Sequence, residues 1–330
     1  MSEDFIPPLW LRNPHLQSIL PSIAVRRPLV QQRARTVIES SQRWIVDCGA
    51  GVRLQAFPSS QAALGRPPAR DVAVLIHGWE GSADSLYILT LAQYLFERGV
   101  DVVRLNLRDH GDSQDLNEEL FHSCRIAEVV GAVRAIQLAN PGSRLSIAGF
   151  SLGGNFAIRV GALAAQAGLE LHRVVAVCPV LDPKQTLLKL ESGPALYRNY
   201  FVLKWRRSLR RKQAAWPDRY DFDRLLHTAT LTGMTEQLVL QYTGFPTLDE
   251  YLQGYAIVGD RLATLETPTR VIAAADDPII PIEDLARLAP RPSLTVTRTS
   301  FGGHCGFFDG SDYGWVDRAV GQTIGIQEQP

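Results

Sequence analysis

Gly149-Phe150-Ser151-Leu152-Gly153, preceded by Arg144-Leu-Ser-Ile-Ala148 and followed by Gly154-Asn-Phe-Ala-Ile-Arg-Val-Gly-Ala-Leu163, is the stretch that decides how this chain folds. The residues before it read as a short β-strand and those after it as the start of a helix, so the five residues fit a G-x-S-x-G turn between the two. The content of the pattern is steric. A serine on a sharp strand-to-helix turn presents its hydroxyl above a sheet, and small neighbours let that turn pack against adjacent backbone. The competing reading is an ordinary serine in a buried strand turn.

Working outward, the same alternation recurs. Val72-Ala-Val-Leu-Ile76 predicts a strand, residues 86–98 a helix, 101–105 a strand, 123–138 a helix and 171–178 the strand after the elbow. Continuous apolar strands alternating with helices specify an α/β fold, with a mostly parallel central sheet covered by helices on both faces. Active residues should then gather at the carboxyl ends of the strands. The pattern resumes at 269–275, followed by 285–288, a strand at 293–297 and a terminal helix near 313–324. Residues 35–48 and 52–57 alternate enough to predict edge strands, with a hairpin turn at Gly49-Ala50-Gly51, and 59–70 has the composition of an exposed loop.

Two regions depart from the alternation. Residues 5–29 are rich in proline and apolar side chains and are expected to lie along the main body. Residues 183–254 carry many aromatics on helical stretches, including Tyr197, Phe201, Trp205, Trp216, Tyr220, Tyr242 and Tyr251. They predict a helical cap inserted into a single domain of residues 1–330. Most of these rings should glue helices together, and one or two should line an acyl pocket.

Composition narrows the function classes. Lys plus Arg number 34 and Asp plus Glu 34, and no long basic block occurs, which leaves no electrostatic case for nucleic acid. The basic exception is Lys204-Trp-Arg-Arg-Ser-Leu-Arg-Arg-Lys212. Its Trp205 and Leu209 suggest weak contact with a membrane surface, with a solvated helix face as the plainer reading. Cys48, Cys124, Cys178 and Cys305 are widely separated, which argues for reduced thiols over a disulfide scaffold or a zinc site. MSEDFIPPLW lacks the basic region and apolar run of a secretory signal, and no later segment reads as a membrane span, so cytoplasmic localisation is the default expectation.

A serine hydroxyl needs a base, and the base needs an orienting group. Asp276-Asp277-Pro278 follows one predicted strand and Phe301-Gly-Gly-His304-Cys-Gly-Phe-Phe308 follows the next, so the chain order is Ser, Asp, His. Ser151 is the candidate nucleophile, His304 the general acid and base, and Asp277 the orienter. Asp277 is preferred to Asp276 because Pro278 holds it extended where the turn leaves the strand, and Asp182 is a further alternative. His77, His110, His172 and His227 fit the base less well. Negative charge on the substrate oxygen calls for preset donors. The backbone N–H of Leu152 is one candidate, and that of Trp79, in His77-Gly78-Trp79-Glu80-Gly81, is the other. Asn106-Leu-Arg108-Asp109-His110-Gly111 reads as a loop brace before it reads as a substrate contact. GFSLGGN lacks the G-x-x-x-x-G-K-[ST] phosphate cradle, and this chemistry requires neither a metal nor an organic cofactor.

Together these motifs resemble the YheT-type branch of the α/β hydrolases, a group related to eukaryotic ABHD esterases and lipases. The resemblance covers nearly the whole chain and rests on Trp10-Leu-Arg-Asn-Pro-His-Leu-Gln-Ser-Ile-Leu20, HGWEGS from His77, RLNLRDHG from Arg104, GFSLGGN from Gly149, DDP from Asp276 and GGHCGF from Gly302. It implies the α/β-hydrolase fold and a serine carboxylic-ester hydrolase of small or lipid-like acyl esters, with acyltransfer to an alcohol as an accompanying reaction. It supports Ser151, Asp277 and His304 in their roles. An amidase or thioesterase would use the same groups, and a noncatalytic scaffold that binds a hydrophobic ligand would need none of them.

Overall fold

In the computed structural model, which describes residues 4–326, the strands are β1 (Trp44–Asp47), β2 (Arg53–Ser59), β3 (Asp71–Ile76), β4 (Asp101–Asn106), β5 (Arg144–Phe150), β6 (Leu171–Val177), β7 (Thr269–Ala274) and β8 (Leu294–Thr299). They form one eight-stranded sheet in the order β1-β2-β4-β3-β5-β6-β7-β8. β2 runs antiparallel to β1 and β4, and every other pairing is parallel.

The helices are α1 (Pro14–Ile19), α2 (Arg27–Arg33), α3 (Arg35–Glu39), α4 (Leu86–Glu97), α5 (Ile126–Ala139), α6 (Leu152–Ala167), α7 (Pro183–Ser192), α8 (Ala195–Ala215), α9 (Asp223–His227), α10 (Leu231–Tyr242), α11 (Leu248–Gly254) and α12 (Trp315–Thr323). Alternate residues of each central strand feed opposite cores, as a pleat of period two requires. Val72, Val74, Ile76 and Ile147 pack with α5 and α6, while Ala73, Leu75, Ala148 and Phe150 pack with α4 and α12. Burial on both faces is why these strands read as continuous apolar runs.

The strand order positions the site. From β3 the chain moves outward to β4 through α4, then returns past β3 to β5 through α5, on the opposite face. Crossovers in opposite directions and on opposite faces leave a crevice at the carboxyl ends of β3 and β5. The loop from His77 and the elbow at Ser151 both open there. Helices α7 to α11 are inserted between β6 and β7.

Three expectations change. Residues 35–39 are the helix α3, not part of an edge strand. Thr36, Val37 and Ile38 favour extended backbone by propensity, but burial of Val37 and a hydrogen bond from its N–H to Gln93 Oε1 (3.2 Å) decide in favour of a helical turn. Within 59–70, Gln61 is buried and donates to the carbonyls of Phe96 and Val100, tying the loop to the end of α4. The stretch 204–212 lies on α8 with Trp205, Leu209 and Lys212 facing inward, so the side chains that suggested a membrane face belong to the core. Its exposed cations are Arg207, Arg210 and Arg211. No described helix is long and apolar enough to cross a membrane.

Candidate active site

Ser151 follows β5 and caps α6 with φ 53° and ψ −117°, a conformation that costs a side-chain-bearing residue free energy and persists only when its surroundings enforce it. The enforcement is local. Ser151 N–H donates to Val177 O (2.8 Å), and Val180 N–H donates to Ser151 O (3.3 Å). A Cβ on Gly149 would lie 2.1 Å from Gly153 O, and one on Gly153 would lie 2.3 Å from Ile76 O, so backbone itself requires both glycines. Asn155, fully buried one turn into α6, donates to Val180 O (2.9 Å) and Tyr255 O (2.8 Å), which joins the elbow to the end of the helical insertion.

His304 Nε2 lies 3.0 Å from Ser151 Oγ, and His304 Nδ1 lies 2.8 Å from Asp277 Oδ2. Asp277 is buried, and its second oxygen accepts from Ile279 N–H (2.7 Å) and Ile280 N–H (2.9 Å). Those two bonds orient the carboxylate at the turn after β7. Burial alone would depress the His304 pKa, but Asp277 beside it, with the Cys305 sulfur, lifts it well above the usual histidine value. Asp276 points elsewhere and accepts Gly303 N–H (2.8 Å), bracing the histidine loop. Asp182 caps α7 and pairs with Arg287 (2.5 Å).

The first loop carries Trp79 at the same sheet edge. His77 is fully buried with Nδ1 2.7 Å from Gly78 O, and Nε2 accepts Leu107 N–H (3.2 Å), so the ring ties the ends of β3 and β4 together. Burial drives its pKa well below the usual value and keeps it neutral. The N–H groups of Leu152 and Trp79 donate to no described acceptor, and that of Leu152 opens the first turn of α6, where helix amides favour negative charge.

The loop after β4 is a brace. Arg108 forms a two-pronged pair with Glu128 (2.6 and 3.0 Å). Asp109 Oδ1 meets Lys212 Nζ at 2.9 Å, and its Oδ2 accepts Phe121 N–H (2.7 Å). Lys212 is 1% exposed and also donates to the carbonyls of Gln114, Asn117 and Glu119. A basic residue in a stretch read as a solvated or membrane-facing helix thus pins the longest inserted helix to the loop after β4.

Ser151 opens into a cavity of about 110 Å³ whose walls include Trp79, Phe201, Trp205, Leu190, Leu238 and Tyr255. Trp79 stacks on Phe201 (5.2 Å, 14°) and meets Trp205 edge-on. Two buried polar atoms without a partner, Thr186 Oγ1 and His122 Nδ1, belong to residues that line the same space.

Several contributors escaped the sequence argument. His122 lines the cavity, and His15 Nδ1 lies 2.8 Å from Tyr197 Oη, joining α1 to α8. Ser18 Oγ accepts the His304 N–H (2.8 Å). The Gln17 amide accepts Phe308 N–H and donates to Phe308 O, so the entry segment holds the histidine loop from outside. The signal was present in Asn13-Pro-His-Leu-Gln-Ser18, which carries a polar face that a purely packing segment has no need of.

The sequence profile described as "Alpha/beta hydrolase family" matches residues 73–316. YheT of Escherichia coli is 25% identical over 94% of this chain and 88% of its own length. The mouse monoacylglycerol lipase ABHD2 is 23% identical over 97% of this chain and 79% of its own. Among solved structures, an esterase of Pyrococcus furiosus superposes with a TM-score of 0.56 at 15% identity, covering 86% of this chain and 89% of that one. That likeness is one of fold.

Proposed function

The chain belongs to the alpha/beta hydrolase family, and from that premise we propose that it is a serine carboxylic-ester hydrolase of the YheT-type branch, acting on short- or medium-chain acyl esters through an acyl-enzyme. The observation that carries this reading is the continuous chain from Ser151 Oγ to His304 Nε2 (3.0 Å) and from His304 Nδ1 to Asp277 (2.8 Å), opening into an apolar cavity. The name of one relative, a monoacylglycerol lipase, supports ester chemistry.

His304 takes the Ser151 proton as the hydroxyl oxygen attacks the ester carbonyl. Charge develops on the carbonyl oxygen, where the N–H groups of Leu152 and Trp79 meet it. Asp277 stabilises the imidazolium, which returns its proton to the departing alcohol. Water, deprotonated by His304, then cleaves the acyl-Ser151 bond and frees the acid. An alcohol entering in place of water receives the acyl group instead. The helices of 183–254 act as a cap that shapes the acyl site.

Hydrolysis of p-nitrophenyl esters of graded acyl length by the wild-type protein and Ser151→Ala tests the reading. Turnover that vanishes in the variant supports it. Equal turnover by both proteins, or none by the wild type at any chain length, overturns it.

A further inference from the structure

Two thiols lie behind the catalytic histidine, and the mechanism uses neither. Cys178 follows β6 and is 1% exposed, and Cys305 directly follows His304. Cys305 N–H donates to Cys178 Sγ (3.4 Å), Cys305 Sγ donates to Val177 O (3.6 Å) and Cys178 Sγ donates to Gly303 O (3.7 Å). Both sulfurs and a His304 ring nitrogen lie within 4.8 Å of one another. Both cysteines sit on tight backbone turns, with φ 43° at Cys178 and 61° at Cys305.

That cluster has the donors of a soft-metal site, but its histidine is committed. Nδ1 is held by Asp277 and Nε2 by Ser151, which leaves two sulfurs and no free ring nitrogen. Two thiols in mutual reach without a metal have a different chemistry open to them. A cavity of about 30 Å³ that shares no lining residue with the acyl site reaches Cys305, lined by Arg26, Tyr87 and Asp317 among others. It exceeds the roughly 10–15 Å³ that one water requires, so a molecule of peroxide size fits.

We propose that Cys178 and Cys305 form a reversible disulfide, driven by a hydroperoxide, that switches the active site off. The bond itself is independent of the reaction the site performs, while its effect on turnover rests on the esterase reading. The Cys305 thiolate attacks one peroxide oxygen. An S–O bond forms, the O–O bond breaks, and hydroxide leaves and is protonated to water. Cys178 then attacks the sulfenic sulfur. An S–S bond forms, the S–O bond breaks, and the second hydroxide takes the Cys178 proton. Two thiols and one hydrogen peroxide become one disulfide and two waters, and a dithiol reverses the result by exchange.

The order of attack follows from surroundings. Burial pushes the Cys305 thiol up, but the hydrogen bond with Cys178 and the charge of His304 bring it down to about 6. Burial holds Cys178 well above the usual thiol range, so it is the resolving partner. Closing the bond draws Cys305 Sγ away from Val177 O and pulls on the residue next to His304. Val177 O is also the acceptor of the Ser151 N–H, so the strain reaches both sides of the 3.0 Å contact.

The test treats the full chain with graded hydrogen peroxide and reads three quantities: intact mass under denaturing, alkylating conditions, peptide cross-linking, and p-nitrophenyl ester turnover. The expected result is loss of two hydrogens and a linked 178–305 peptide, with turnover falling about a hundredfold, the scale of an ångström-sized misplacement. Dithiothreitol restores both. Cys305→Ala should keep its turnover under peroxide, and Cys178→Ala should lose turnover irreversibly as Cys305 oxidises further. Free thiols at both positions after full peroxide treatment overturn the proposal, as does a linked peptide with unchanged turnover or a loss that a chelator reverses. If no ester is turned over at all, labelling of Ser151 by a fluorophosphonate replaces turnover, and the mass measurement still decides whether the bond forms.

Discussion

The loops at the carboxyl edge of the sheet and the inserted helices of 183–254 both pack over Ser151, yet different forces shape them. At the edge, backbone meets backbone. Gly149 and Gly153 have carbonyl oxygens 2.1 and 2.3 Å from where a Cβ would stand, and no other residue type fits. In the insertion, side chains make the shape. Tyr220 stacks on Phe222 (5.2 Å), Phe201 stacks on Trp79 (5.2 Å), and Lys212 reaches down to Asp109. A ring can be exchanged for another of similar bulk at modest cost, whereas a Cβ driven into a carbonyl cannot be accommodated without moving the chain. If the proposed function holds, its reaction chemistry resides in geometry that tolerates little change, and its acyl selectivity in packing that can be retuned.

The sharpest way to break that contrast is at the edge. Ser151→Ala should lower kcat by about 10⁴-fold or more while the protein stays folded, checked by ester hydrolysis beside circular dichroism. Asp277→Asn should lower the plateau rate by roughly 10⁴-fold by mis-setting the histidine tautomer.

The Asp277→Asn pH profile carries a sign. His304 must be neutral to accept a proton, and Asp277 helps to hold its pKa up, so wild-type kcat/KM falls as pH drops through that raised value. Removing the anion lowers the His304 pKa and should move the acid limb to lower pH. Because the folded pKa is raised, the pair stabilises the fold fully below the unfolded histidine value of about 6.5 and loses that contribution as pH rises through the folded one. The gap in Tm between the wild type and Asp277→Asn should therefore shrink toward alkaline pH. An acid limb that moves upward would break the argument.

Next in size is the joint between the two regions. Lys212→Met leaves Asp109 buried without its cation and should cost about 3–5 kcal/mol in urea unfolding. Burial already raises Asp109 to about 6 despite Lys212. A cost below about 1 kcal/mol would mean that the insertion is held by apolar packing instead. The smallest effect is expected inside the insertion. Phe201→Ala should change the preference between short and medium acyl esters by about 1–3 kcal/mol in relative kcat/KM, with little change on the shortest ester. A uniform loss across chain lengths would place Phe201 in support of the Trp79 loop.

Where the sequence was legible, one local force dominated. The strands from β3 to β7 are rich in apolar residues because both faces are covered, and that pattern locates them. Ser151, Asp277 and His304 could be singled out because each stands at a predicted strand end, and the structure brings the three together. Residues 35–39 differ from the expectation because alternation along 35–48 suggests an edge strand, whereas the Gln93 hydrogen bond and the burial of Val37 that favour a helical turn depend on α4 and the core. Lys212 was illegible for a similar reason. Its charge suggests solvent, and its partners Asp109, Gln114, Asn117 and Glu119 are roughly a hundred residues away.

By itself, then, the amino-acid sequence determined the layered α/β plan, the elbow at Ser151 and the chain order of the three groups around it, because periodicity and glycine sterics act over a few residues. Only the tertiary structure decided that Asp276 turns to the Gly303 N–H, that Gln17 and Ser18 hold the His304 loop, that the face of α8 bearing Lys212 turns inward, and that Cys178 and Cys305 meet behind the imidazole. Those outcomes depend on contacts between segments far apart in the chain, and their distances are set by how the whole sheet twists and packs rather than by any local pattern.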